Sequence, residues 1–207
     1  MGSSKYSSDR IESDTVCLFE NSDNSLEVVQ SLTALANTEG GFLLVGVKKN
    51  GKICGVLPGI ERNTLIEVIG KHSSPAFVYS VIEIQEGVRL YIEVHVDKSL
   101  NSPIYFKNKS NSEIYIRRNC RTIKANKIIE NILRFKNING NKPNELSIDE
   151  FNIVELIRNE KEISLTQLHK KSNLPINVVD YILVRLVTWG IIDLNFIDTN
   201  CLFKIVE

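Results

Sequence analysis

The sequence predicts an α+β protein of two domains, and three features support this prediction. Helical and strand patterns follow one another without strict alternation over residues 12–137. A stretch at 138–146 that is rich in Asn, Gly and Pro favours a linker, because these residues have little to bury. Residues 147–207 then follow the order helix, helix-turn-helix, hairpin, which is typical of a small winged-helix domain. The polar residues 1–11 are expected to form a disordered leader.

The first domain begins with a helix and a buried strand. Apolar residues recur at helical spacing over 25–37, with Ser25 as the expected N-cap, and Gly40-Gly41 ends this helix. The continuous apolar run 42–47 predicts a strand that is covered on both faces. Asn50-Gly51 favours a type I′ hairpin turn with a returning strand at 53–56. Further helices are expected at 60–71 and 124–137, and further strands at 77–84, 88–96, 104–107 and 113–117.

The second domain has short elements with clear end signals. Helices are expected at 147–158, at 164–171 with Ser164 as cap, and from Pro175 to Thr188. Strands at 191–197 and 202–206 form a hairpin across Asp198-Thr199-Asn200. Trp189 is expected to anchor the core between the third helix and this hairpin.

Composition argues against several classes of protein. No apolar run reaches the roughly 18–20 residues that span a bilayer, and the start lacks the apolar region of a signal peptide. Cysteines and histidines are scattered without metal-ligand spacing, so reduced thiols in a cytoplasmic protein are expected. These residues are Cys17, Cys54, Cys120, Cys201, His72, His95 and His169.

The formal net charge of zero hides an asymmetry. Residues 1–144 carry a net charge of +4, and residues 145–207 carry −4. Within the first part, residues 98–142 hold 11 basic residues and only two acids, Glu113 and Glu130. A basic stretch of this kind predicts an anionic partner.

This basic stretch predicts a nucleic-acid-binding surface, against the competing interpretation of a solvated face. Its candidate phosphate contacts are Lys107, Lys109, Arg117, Arg118, Arg121, Lys124 and Lys127. Tyr105, Phe106 and Tyr115 interleave with them as stacking candidates, although strand alternation places one of the first two in the core. Bases near the start of the helix at 124–137 oppose its dipole, which an anionic partner would relieve.

The second domain gives a weaker electrostatic signal. Its phosphate candidates are Lys170, Lys171, Arg185 and Lys204, but the negative net charge opposes the approach of DNA. Sequence-specific DNA recognition therefore stays open beside dimerisation or protein docking.

Three passages of the first domain carry a family resemblance. They are the helix end and strand over 34–47, the Asn50-Gly51 hairpin, and Pro103-Ile104-Tyr105 followed by Ile114-Tyr115-Ile116-Arg117-Arg118. In this order and spacing, residues 12–136 resemble the Schlafen AlbA-like family, also called the divergent Alba group. The resemblance implies a mixed sheet-and-helix domain. Bacterial members are regulator-like, which implies a DNA-binding transcriptional regulator.

Animal Schlafen proteins imply a second activity, in which three acids hold a divalent metal for RNA cleavage. Glu12-Ser13 matches the first acid, but Cys17 stands at the second position and Phe19 at the lysine position. Lys48 and Lys49 follow Gly46-Val47, where the third acid belongs. Lysine repels a divalent cation, so no catalytic or metal-binding residue is predicted. No phosphate-binding loop of the Gly-x-x-x-x-Gly-Lys type is present, and no cofactor is expected.

The sequence therefore predicts a non-enzymatic protein that binds nucleic acid, DNA rather than RNA, through one exposed basic surface between Lys98 and Lys142. A homodimer stays open, and no membrane association is expected. One alternative is a metal-dependent RNase that gathers Glu12, Glu20 and Glu39. The other is a protein-interaction module formed by the second domain.

Overall fold

The computed structural model describes residues 10–109, 111–136, 143–197 and 200–206. By contacts the chain divides into two compact units, Met1–Ala125 and Asn126–Glu207, called unit 1 and unit 2 below. Helices and sheets mix within each unit, so the predicted α+β class is confirmed. None of the helices in the described ranges is long and apolar enough to cross a membrane. The leader at 1–9, most of the linker at 137–142 and the turn at 198–199 lie outside the described residues.

Over residues 10–109 and 111–125, unit 1 contains two four-stranded sheets and two helices. The first sheet has the order β1-β2-β5-β4, in which β1 and β2 are parallel and the other pairs are antiparallel. The second has the order β3-β6-β7-β8 and is antiparallel throughout. In chain order the elements are β1 (Val16–Phe19), α1 (Ser25–Asn37), β2 (Gly41–Val45), α2 (Pro58–His72), β3 (Ser73–Ser74), β4 (Tyr79–Glu86), β5 (Arg89–Val96), β6 (Tyr105–Asn108), β7 (Asn111–Arg118) and β8 (Arg121–Lys124).

Helix α1 is the centre of unit 1. It contacts β2 and β5 of the first sheet and β6, β7 and β8 of the second. Every residue from Val28 to Asn37 except Gln30 is buried, because a helix covered by two sheets has little solvent-facing side. The buried residues of α1 therefore pack against both sheets and hold them together.

Asn37, the last residue of α1, fastens the helix to the second sheet. Its side-chain oxygen accepts a hydrogen bond from the Ile104 N–H at 2.6 Å. Its amide nitrogen donates to the carbonyl oxygens of Ile104 and Tyr115, both at 2.9 Å. These three bonds satisfy buried backbone groups that strand pairing leaves free.

Strand β2 buries both faces, as its continuous apolar run predicts. Leu43 and Val45 pack into the main core with α1, whereas Leu44 packs into a smaller cluster with Leu18 and Tyr91. The prediction of a strand covered on both sides is confirmed at these positions.

The predicted returning strand at 53–56 is wrong. Asn50-Gly51 does form a turn, in which the Lys48 N–H donates to the Lys52 carbonyl oxygen. Only one bridge follows, between Val47 and Ile53. The N–H groups of Cys54 and Gly55 both donate to the Gly46 carbonyl oxygen. Gly55 has a φ of +83°, so the backbone is not extended there and no strand pairing continues.

The predicted helix at 124–137 begins later than expected. Arg121–Lys124 is strand β8, and helix α3 spans Lys127–Lys136. Arg121 and Lys124 therefore do not oppose a helix dipole, and of the bases assigned to the helix start only Lys127 lies in its first turn. Helix α3 groups with unit 2, whereas the sequence assigns it to the first domain.

Unit 2 continues with α4 (Ile148–Glu160), β9 (Glu162–Ser164), α5 (Leu165–Lys171), α6 (Ile176–Thr188), β10 (Ile192–Ile197) and β11 (Asn200–Ile205). The predicted cap is confirmed, because Ser164 and Gln167 form a reciprocal capping box at the start of α5. Strand β9 was not predicted, and it completes a sheet of order β10-β11-β9. Trp189 is half-buried at the end of α6 rather than enclosed in the core.

Candidate functional site

A pocket of about 660 Å³ opens in unit 1 between the start of α1 and the turn that joins β7 to β8. The first half of α1 forms one wall, and the turn forms the other. Phe19 from the end of β1 and Lys49 from the segment after β2 complete the lining. The residues that line it are Glu12, Phe19, Asn24, Leu26, Glu27, Gln30, Ser31, Lys49, Arg117, Cys120, Arg121 and Thr122.

Arg117 lies at the base of this pocket and is only 4% exposed. Its Nη2 donates to the carbonyl oxygens of Ser13 at 3.0 Å and Val16 at 3.1 Å, and its Nε donates to Ser13 at 3.2 Å. The prediction that Arg117 belongs to an exposed phosphate-binding surface is therefore wrong. Its guanidinium fastens the start of the chain to β7.

Glu12 is the acidic partner of Arg117. Its Oε1 lies 2.5 Å from Arg117 Nη2, and its Oε2 accepts hydrogen bonds from Lys49 Nζ at 2.8 Å and from the Leu18 N–H at 3.2 Å. Two cations and one backbone donor thus occupy both oxygens of this carboxylate. A metal ion would have to displace them.

The donor set of this region does not fit the metal that the family resemblance implies. Cys17, at the position of the second acid, is a fully buried thiol, and burial raises its pKa to about 12. Within the described ranges, no three His, Cys, Asp or Glu side chains group as ligands. Glu20 and Glu39, the other two acids of the alternative RNase site, also lie beside lysines. Glu39, just before β2, pairs with Lys98, and Glu20, just after β1, lies near Lys48.

The exposed cations of the pocket are Lys49 and Arg121. The turn between β7 and β8 places Asn119 and Cys120 at φ values of +51° and +59°, which form a tight two-residue connection. This turn places Arg121, one of the predicted phosphate contacts, at the pocket. Arg118, another predicted contact, is the last residue of β7, directly before the turn. Lys49 and Phe19 also line the pocket, although neither was predicted from the sequence to contact a nucleic acid. Lys49 was predicted only to repel a metal ion.

The remaining bases of the second sheet lie elsewhere. Lys107 and Lys109 are exposed beside the opposite end of β7, six residues from the turn with Arg121. At about 3.3 Å per residue this separation is about 20 Å. The predicted single surface between Lys98 and Lys142 is therefore divided into at least two groups within unit 1.

Lys124 is held by a neighbouring acid in the sheet. Its Nζ lies 2.6 Å from Glu113 Oε1, and the Tyr115 hydroxyl donates to Glu113 Oε2 at 2.7 Å. The hydrogen bond from Lys124 holds the pKa of Glu113 below its usual range, and burial raises the pKa of Tyr115 to about 12. Lys124 is thus already partly neutralised.

The predicted stacking residues do not form an exposed platform. Phe106 is 1% exposed in the main core, and Tyr115 packs edge-on against it at 5.8 Å. The expectation that one of Tyr105 and Phe106 is a core residue is confirmed. Phe19 is the aromatic residue of the pocket, and Lys49 Nζ lies 5.2 Å from the centre of its ring.

In unit 2 the predicted phosphate contacts differ in their availability. Arg185 Nη1 lies 3.1 Å from the buried Glu150 Oε1, and its guanidinium lies over the Trp189 ring at 4.4 Å. Lys127, Lys170 and Lys171 are exposed, and Lys171 pairs with Glu160 at 2.5 Å. Arg185 is therefore committed to contacts inside its own unit.

Unit 1 thus defines a class of α+β domain, with a central helix between two sheets and a cationic pocket at the start of that helix. The family model described as Schlafen, AlbA_2 matches residues 8–126, which is more than half of the sequence. The chain belongs to this family. A comparison with curated proteins finds no match.

Two solved structures are similar to parts of this chain. The N-terminal domain of a RecG-related protein from Nitrosomonas europaea has 22% identity and a TM-score of 0.40 over 50% of this chain and 76% of that chain. The DIP2311 protein from Corynebacterium diphtheriae has 14% identity and a TM-score of 0.46 over 83% of this chain. The match spans 32% of the length of the Corynebacterium protein. At these values neither likeness bears on function.

Proposed function

We propose that the chain is a non-enzymatic nucleic-acid-binding protein of the transcriptional-regulator type, and that the pocket of unit 1 holds the phosphate backbone. The observation that carries this proposal is the occupation of Glu12 by Arg117 and Lys49 in a pocket edged by exposed Lys49 and Arg121. The lining holds three cations, Lys49, Arg117 and Arg121, against two acids, Glu12 and Glu27, so the pocket attracts anions rather than divalent cations.

The chemistry available in the pocket supports binding without catalysis. Phosphodiester hydrolysis needs a metal ion or a general base to activate water. Glu12 already accepts from three donors, and Glu27 accepts from the Asn24 amide at 2.7 Å. Arg121 and Lys49 can hold a phosphate oxygen through charge-assisted hydrogen bonds.

We propose that the part of unit 2 from α4 onward is a winged helix whose third helix, α6, does not recognise DNA bases. The order α4, β9, α5, α6, β10, β11 supports the winged-helix assignment. Helix α3 packs on α6, where the Phe135 and Tyr181 rings meet edge-on at 6.4 Å.

The burial pattern of α6 supports the proposal that this helix does not recognise DNA bases. Val179, Leu183 and Leu186 form its buried stripe, yet Val184 is also only 4% exposed. At about 100° per residue, Val184 lies away from that stripe and on the side of Tyr181. A recognition helix presents this outer side to the major groove, whereas here it is partly covered. Nucleic-acid binding is therefore assigned to unit 1.

Charge reversal in the pocket tests the proposal. The double change Lys49→Glu and Arg121→Glu should weaken the binding of an oligonucleotide about 30-fold or more at low salt. It should also reduce the slope of log K against log salt by about 2, because two phosphate contacts are lost. Fluorescence anisotropy at several salt concentrations measures both quantities.

Two matched controls carry the same change in net charge. They are Lys107→Glu with Lys109→Glu at the far end of β7, and Lys170→Glu with Lys171→Glu in unit 2. Each control should lose less than about threefold, since its residues lie outside the pocket. Equal losses in all three double variants would show that only net charge matters, and the pocket would not be the site.

The rival RNase activity has its own test. Incubation of the protein with tRNA and Mn²⁺ should leave the RNA intact, because the carboxylate set does not fit a metal. Cleavage that disappears in Glu12→Ala would overturn the non-enzymatic assignment.

A further inference from the structure

We infer that the pocket takes one unpaired nucleotide, so that the protein prefers single-stranded segments over an intact duplex. This inference rests on the proposed function and names the form of nucleic acid that the same site accepts. The pocket volume of about 660 Å³ is within the range of about 300–1,000 Å³ that encloses a small molecule. A base that stays stacked in a duplex does not enter such a pocket, because it must first be turned out of the helix.

The lining divides into parts that match the parts of a nucleotide. Lys49 and Arg121 supply the positive charge for a phosphate. Phe19 and Leu26 supply an apolar wall against which a base can lie. Both apolar residues also pack against the main core, so this wall is held in place before a ligand arrives.

The first turns of α1 add groups that can bond the edge of a base. Asn24, Glu27 and Gln30 line the pocket, and side-chain amides and carboxylates are common partners of base edges. Asn24 donates to Glu27 instead of capping the backbone of α1. The Watson–Crick edge of a base is open to such groups only when the base is unpaired, because pairing in a duplex uses that edge.

The cost of extracting a base from a duplex sets the expected preference. Unpairing and unstacking one nucleotide should reduce the affinity for a duplex about tenfold to a hundredfold relative to a single strand of the same sequence. Anisotropy titrations of the full chain with a labelled 12-nucleotide strand, alone and annealed to its complement, measure this ratio.

Phe19→Leu provides the residue-level test, because leucine keeps the packing but removes the ring face. We expect this variant to bind the single strand about tenfold more weakly, because the base loses the ring on which it stacks. The matched control is Phe42→Leu, which changes a half-buried phenylalanine of β2 that packs in the smaller cluster, outside the pocket. It should leave single-strand affinity unchanged, and thermal unfolding of both variants verifies their folding.

Each outcome separates this inference from the proposed function. Equal affinity for strand and duplex, with Lys49→Glu and Arg121→Glu weakening both, would overturn the inference and support the phosphate site. An unchanged single-strand affinity in Phe19→Leu would overturn the contact with a base. No effect of the Lys49 and Arg121 reversal on either ligand would overturn both proposals.

Discussion

Replacing Arg117 with methionine is expected to lower the free energy of unfolding by about 3–5 kcal/mol. Arg117 is the buried member of an ion pair, and its removal leaves Glu12 without that partner. The change removes the donors to the Ser13 and Val16 carbonyl oxygens and to Glu12. Methionine fills much of the same volume but donates no hydrogen bond. Urea unfolding followed by far-ultraviolet circular dichroism measures the loss. Trp189 fluorescence would report on unit 2 instead.

Arg121→Met is the control for the Arg117 change. Arg121 is exposed at the start of β8, so the same substitution should change the free energy of unfolding by less than about 0.5 kcal/mol. If Arg117→Met proves as mild as Arg121→Met, then Arg117 does not hold the start of the chain against β7.

The second large effect is expected for Asn37→Ala, which should destabilise unit 1 by about 2–4 kcal/mol. Alanine leaves the Ile104 N–H and the carbonyl oxygens of Ile104 and Tyr115 without their partner, and each such buried group costs about 1–3 kcal/mol. Part of this cost is recovered when neighbouring groups or water move in. The same urea titration measures the difference.

Asn24→Ala gives a matched change at the other end of α1. The Asn24 side chain is exposed and bonds Glu27 without capping the helix backbone, so its loss should cost less than about 0.5 kcal/mol. Equal effects at the two positions would mean that Asn37 is not the fastening between α1 and the second sheet.

Much of the fold follows from local patterns in the sequence. The helix predicted at 25–37 coincides with α1, because its apolar spacing and the Gly40-Gly41 stop are both local signals. The capping box at Ser164 is likewise encoded within four residues. Strand β8 was missed, since four residues with two exposed charges carry little strand pattern.

The candidate site was harder to predict because it depends on contacts between distant residues. Arg117 stands beside Arg118 in the sequence and both resemble surface cations, yet β7 buries Ile116 on one face and Arg117 on the other. That second burial depends on residues about 100 positions earlier, to which Arg117 is bonded. Lys49 and Arg121 meet at one pocket only through the folding of two sheets around α1.

The most direct measurement is the alkylation rate of Cys120 with and without a saturating single-stranded oligonucleotide. Cys120 is exposed and lines the pocket, whereas Cys201 lies in unit 2 and Cys17 is buried with a pKa raised to about 12. With iodoacetamide and mass spectrometry, the rate at Cys120 should fall at least about tenfold on binding, since the ligand covers the pocket. The rate at Cys201 should stay unchanged, and Cys17 should remain unmodified in both states. Oligonucleotide that binds while Cys120 reacts as fast as before would contradict the placement of the binding site in this pocket.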